Sequence, residues 1–185
     1  MAYKGLTDAV YAPITAESPE GIPTYGTGGI IGRAIKYELS AEYEDTSEYS
    51  DMNDLDPAQE FAYADLTFES AEVDSAADLV MYGHDADSDG IVCADIDTGR
   101  PCGVGCIRPK TIRGTVTWTV TWLYKVFFLS VKDDTETRGK DIAYSTPEVT
   151  ARVVPLGDGK WKHTYEFETK DEARTFLYAK AGINQ

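Results

Sequence analysis

Positive charge is scarce in this sequence: 17 Lys and Arg stand against 32 Asp and Glu, a net charge of −15 over 185 residues. Such a surface repels phosphate backbones, so duplex binding through a basic face is disfavoured. Long apolar runs are missing too. Nothing approaches the roughly 18 apolar residues of a membrane helix, and Met1–Asp8 hold no apolar signal core, so neither a membrane span nor export is expected. There is no repeat at a fixed period, no heptad pattern and no low-complexity tract.

Reactive groups are equally thin. Cys93, Cys102 and Cys106 form an odd set which, without an export signal, is expected to stay reduced. Cys102 and Cys106 lack the spacing of a zinc knuckle, and His84 is the single histidine nearby, so structural zinc is not expected. Neither His84 nor His163 lies in a motif that would serve a cysteine nucleophile. The G-x-S-x-G, H-E-x-x-H and P-loop signatures are absent, and acids this numerous pair by chance, so no enzyme and no cofactor is expected. Gly26–Gly32 has small-residue spacing, but Pro23 precedes it and an alternating strand follows, so it reads as a turn.

What is present is a globular composition, 42% hydrophobic and 11% aromatic. That composition and length fit a single domain over residues 1–185, able to bury roughly 70% of its unfolded surface without a disulfide or metal. The charge is uneven. Residues 1–100 carry 22 acids and four bases, for −18, whereas residues 101–185 sum to +3. Halves of opposite sign suit a molecule that stacks or rings up with copies of itself; the alternative is a solvated acidic face.

The dominant periodicity is two. Ile35–Glu44 alternates apolar and polar residues, as a strand with one wet face requires. Ala62, Ala64, Leu66 and Phe68 share one side of the next strand, with Asp65, Thr67 and Glu69 on the other. In Thr115–Leu129 the residues Val116, Trp118, Val120, Trp122, Tyr124, Val126 and Phe128 are expected on one face, opposite Thr115, Thr117, Thr119 and Thr121. Val149, Ala151 and Val153 begin another alternation. Leu156–Gly159 predicts a hairpin turn into a last strand, Lys160–Glu168, with His163 a core residue beside Trp161, Tyr165 and Phe167.

Two helices are expected. Thr169–Glu172 is a capping box leading to a stripe of Ala173, Phe176 and Leu177, closed by Gly182. A shorter helix over Ser75–Tyr82 has Asp74 or Ser75 as its cap and Gly83 after its end. Long irregular loops are expected at about 45–60 and 83–110. The fold class is therefore mainly β, an antiparallel sandwich or barrel-like sheet with a flanking C-terminal helix and a short second one. In the second loop, Asp85, Asp87 and Asp89 with Gly90 match the opening of a calcium loop. Ile96 stands where its bidentate Glu belongs and Cys93 at its ninth position, so the alternative is a solvated turn.

Several strings stand in a fixed order: Val10–Pro13 with Tyr25–Gly26, Ala34–Glu42 followed by Glu48–Asp51, Trp122–Phe128, Thr137–Ile142 running into Tyr144–Glu148, Asp158–Trp161, and the helix Lys170–Ala181. In that order they resemble the major tail tube protein of long-tailed phages of Gram-positive bacteria. The resemblance spans nearly the whole chain and is weakest between Tyr82 and Arg113. It implies an antiparallel β-sandwich with a flanking helix, and self-assembly into stacked hexameric rings forming a tube that conducts DNA without binding it specifically. It further implies tape measure, tail terminator and tail tip proteins as partners, a place in the virion tail, and synthesis in the bacterial cytoplasm. An acidic lumen would let DNA slide, with Asp65, Thr67 and Glu69 one candidate lining, and the segment Asp45–Glu60 ordering between subunits. The competing readings are a monomeric immunoglobulin-like binding module holding calcium at Asp85, Asp87 and Asp89, and a hydrolase with unmatched carboxylates.

Overall fold

The computed structural model describes residues 2, 3, 5–45, 59–112, 114–132 and 146–183. Along them run β1 (Ala2–Tyr3), β2 (Thr7–Glu17), β3 (Pro23–Tyr25), β4 (Gly29–Asp45), β5 (Gln59–Val73), α1 (Ser75–Tyr82), β6 (Asp85–Ala86) and β7 (Ile91–Val92). Then follow β8 (Cys102–Ile112), β9 (Thr115–Lys132), β10 (Glu148–Val153), β11 (Lys162–Phe167) and α2 (Lys170–Ala181). The protein is mainly β, as the alternation predicts. Antiparallel pairs β8–β2, β2–β4, β4–β5, β5–β10, β10–β9 and β9–β8 close a ring of hydrogen bonds. From that ring β1 branches off β8, β3 off β2 and β11 off β9.

Two cores follow from strands buried on both faces. Ala9 and Tyr11 of β2 point into the ring with Leu66, Phe68, Leu123, Val126, Val149 and Ala151, while Ala77 and Met81 of α1 join the same cluster. Val10 and Ala12, the alternate residues of β2, pack outward under α2 with Val120, Trp122, Ala173 and Leu177. Both helices keep the boundaries and caps that the sequence predicts. Asp74 accepts from the Ala76 amide at 2.9 Å, and Thr169 Oγ1 accepts from the Glu172 amide at 3.3 Å. Gly83 and Gly182 end the helices in the left-handed region, at φ 76° and 68°.

Five expectations are corrected. The stretch expected as a loop at about 83–110 contains β8, a central strand. Its composition is poor for a strand, yet Gly103 and Gly105 are required there, because Trp122 lies where their side chains would stand. Pro109 is tolerated because β8 changes neighbours at that point, from Thr7 opposite Ile107 to Tyr3 opposite Lys110.

The continuous face expected for β9 is broken. Leu123 pairs with Val104 but Val126 with Cys102, so β9 holds one extra residue. Val120 and Trp122 therefore lie under α2, whereas Val126 and Phe128 turn into the ring. Thr119 and Thr121 are buried, at 1% exposure each, rather than wet.

Leu156–Gly159 makes its turn, with the Gly159 amide donating to Leu156 O and the Leu156 amide to Lys160 O. It does not join two paired strands, however. β10 and β11 lie end to end along the same edge of β9, and the turn is an excursion between them. His163 is exposed, stacked on Tyr165 at 4.0 Å, not in the core; β11 is an edge strand, and Trp161 swings to the other side to stack on Phe61. Ile35 is likewise 54% exposed, because it sits at a register shift in β4. The strings Glu48–Asp51 and Thr137–Ser145, and the acidic segment between Asp45 and Gln59, lie outside the described residues.

Candidate functional site

Asp85, Asp87 and Asp89 are exposed in the β6–β7 hairpin. Asp87 Oδ1 accepts from the amides of Asp89 at 2.8 Å and Gly90 at 3.0 Å, and its own amide donates to Gly90 O. That carboxylate closes its turn in the way Asp does in many loops. Among the described residues no three His, Cys, Asp or Glu side chains are grouped to hold a metal ion. Burial pushes the Cys102 and Cys106 thiols up to about 12, which leaves them protonated at neutral pH, whereas Cys93 is exposed. His84 is paired with Asp78, Nδ1 to Oδ2 at 2.8 Å, and stacks on Tyr82.

Asp65, Thr67 and Glu69 lie together on the outer face of the β4–β5–β10 part of the sheet. Register fixes their neighbours: Ser40–Asp65–Arg152, Glu38–Thr67–Thr150 and Lys36–Glu69–Glu148 form successive rows. Two cations stand in this face. Lys36 Nζ bridges Glu69 at 3.0 Å and Glu38 at 3.2 Å, while Arg152 Nε reaches Asp65 at 3.1 Å and its guanidinium covers the Tyr63 ring at 4.2 Å. Glu42 and Glu44 continue the β4 row and make no ion pair with a described residue. The outcome is a polar, acidic sheet surface whose opposite side is core.

Three cations of the second half, Arg108, Lys110 and Lys162, collect elsewhere. At one end of the ring the inner face of β8 and β9 continues onto β11, where Arg108 stands opposite Thr119, Lys110 opposite Thr117, and Glu166 opposite Thr119 from the other side. Lys110 Nζ meets Glu166 Oε1 at 2.6 Å. Arg108 Nη2 donates to Thr121 Oγ1 at 2.8 Å, with its guanidinium 4.4 Å from the Tyr3 ring and 5.0 Å from the Tyr37 ring. Burial, then the charge of Arg108, lowers the Lys162 pKa. Sequence reasoning missed this cluster because β8 was expected to be a loop. The signal was Cys102, Val104 and Cys106 alternating with glycines.

A scan against models of known protein families finds no match, and a search of curated proteins finds no relative.

Proposed function

We propose that the protein is a structural tube subunit of the phage-tail kind, self-assembling as stacked hexameric rings that conduct DNA. One observation carries the reading: an acidic sheet face of β4, β5 and β10 that is solvated, continuous across its paired rows and backed by core. Such a face repels phosphates, and a lumen lined by it lets a duplex pass without sticking. Glu38, Glu42, Asp65 and Glu69 are the lining we assign. Head-to-tail contacts between identical subunits build rings and stacks, and the unlike charges of the chain's two halves favour such contacts. The subunit is then made in the bacterial cytoplasm and ends in the virion, with tape measure, terminator and tip proteins as its partners.

Negative-stain electron microscopy of concentrated protein, with and without EDTA, tests this. Rings or hollow tubes in both conditions are expected. A monomer at all concentrations whose melting temperature rises with calcium would replace this reading with the binding module at Asp85, Asp87 and Asp89. In assembled tubes, Glu38→Lys with Asp65→Lys should make DNA adhere where wild-type tubes leave it free, read by cosedimentation.

A further inference from the structure

We propose that the Arg108 cluster is a receptor for one anionic group, a carboxylate or other small oxyanion. The groups that would hold it are already buried and lack partners. Arg108 Nε, Thr117 Oγ1, Thr119 Oγ1 and Tyr37 OH are all shielded from solvent with no hydrogen-bond partner among the described residues. Thr119 is 1% exposed, so its hydroxyl cannot turn outward to water. Orphaned buried polar atoms are uncommon in folded proteins and each costs stability. Several on facing residues of two adjacent strands and β4, around a guanidinium, point to a missing ligand.

Charge narrows its chemistry. Arg108 cannot lose its proton, and no described carboxylate pairs with it or with Lys162. The acid on the same face, Glu166, is engaged by Lys110. The Tyr3 and Tyr37 rings flank the guanidinium, an attraction that leaves the positive charge in place. A buried water could satisfy the hydroxyls but would not neutralise the cation. One small oxyanion does both: it accepts from Arg108 Nε through a charge-assisted bond and from the threonine hydroxyls. Two sources supply that chemistry, a free anion such as phosphate or a carboxylate side chain of a second copy. The second source rests on the tube reading; the first does not.

The test follows melting of dilute wild-type protein with sodium phosphate and then sodium acetate, against chloride at constant ionic strength. Sedimentation over rising protein concentration is run in parallel. For a free anion, melting rises saturably, with Kd weakened at least tenfold in Arg108→Gln and severalfold in Thr119→Val, which removes a hydroxyl at constant shape. For a carboxylate from a second copy, dilute protein ignores both anions, whereas wild type associates, Arg108→Gln does not, and Thr119→Val associates several-fold more weakly. Anion-independent melting with association equal in all three proteins overturns the proposal. If Arg108→Gln does not fold, the wild-type titration and Thr119→Val decide by the same criteria. An anion response without tubes keeps the site and removes the tube.

Discussion

At Gly103 and Gly105 the absent side chains let Trp122 lie against β8. A Cβ on Gly105 would stand 2.5 Å from Leu177 Cδ1 and 2.7 Å from Trp122 Cε3, inside contact distance of both. Gly105→Ala should therefore destabilise the fold by about 1–3 kcal/mol through overpacking, read as a lower urea midpoint at unchanged slope. Trp122 Nε1 donates to Tyr25 OH at 3.3 Å, which in turn donates to Tyr124 O at 2.8 Å, and burial pushes the Tyr25 phenol up to about 12 from 10.0. The Cys102 and Cys106 thiols are raised in the same sense, from 9.0 to about 12. In the folded chain these groups keep protons that the unfolded chain releases, so their contribution is complete below about pH 9 and lost as pH rises toward 12. Urea midpoints measured from pH 8 to 11 should fall steadily, and less steeply in Cys106→Ala; a flat profile would refute this burial argument.

At the scale of elements, α2 shows how sequence signals combine with packing. Its N-cap and left-handed Gly182 were readable, but its position over the β2–β8–β9 face comes from Ala173, Leu177, Tyr178 and Ala181 meeting Val10, Val120 and Trp122. Lys180, in the last turn where the helix dipole favours a cation, donates to Tyr165 OH at 2.9 Å and lies within 5.8 Å of the Trp122, Tyr124 and Phe176 rings. Asp8, at φ 52°, is held in its left-handed conformation by Tyr178 OH at 3.1 Å and Arg174 Nε at 3.2 Å, tying α2 to the start of β2. Thermal or urea unfolding of Thr169→Ala should show a loss of about 1 kcal/mol from the cap, and Leu177→Ala a loss of about 2–5 kcal/mol from the cavity. Equal losses would mean that α2 is held by its ends rather than by its buried stripe.

At the largest scale the described residues form a closed hydrogen-bonded ring with short branches. Among the described residues the strands that branch off, β1, β3 and β11, have two, three and six residues, and β11 carries Lys162 and Glu166. These short branches discourage indiscriminate strand pairing, whereas β4 beyond Gly32 pairs with β5 alone among the described residues and leaves a long second edge. With −15 on every copy, long-range repulsion opposes assembly, and salt screens it. Light scattering should accordingly show assembly growing as sodium chloride rises from about 10 mM to 150 mM, where the Debye length shortens from roughly 30 to 8 Å. Assembly that weakens over that range would mean that attraction between the unlike halves outweighs the net repulsion of the copies.

Local sequence determined the features that depend on near neighbours. The helix caps at Asp74 and Thr169, the buried alternations Ala64–Leu66–Phe68 and Val149–Ala151–Val153, and the turn at Leu156–Gly159 are all set by residues a few positions apart. Tertiary structure decided what depends on distant partners. The extra residue in β9 near Tyr124 exists only relative to β8, and it reverses which side chains face the core beyond it. β8 is a strand because Trp122 and Leu177 fill the space above its glycines, contacts no window of sequence contains. The acidic rows on β4, β5 and β10 and the Arg108 cluster are assembled across strands far apart in the chain. Composition announced the charge imbalance; pairing register alone chose which charges meet and which buried groups are left without a partner.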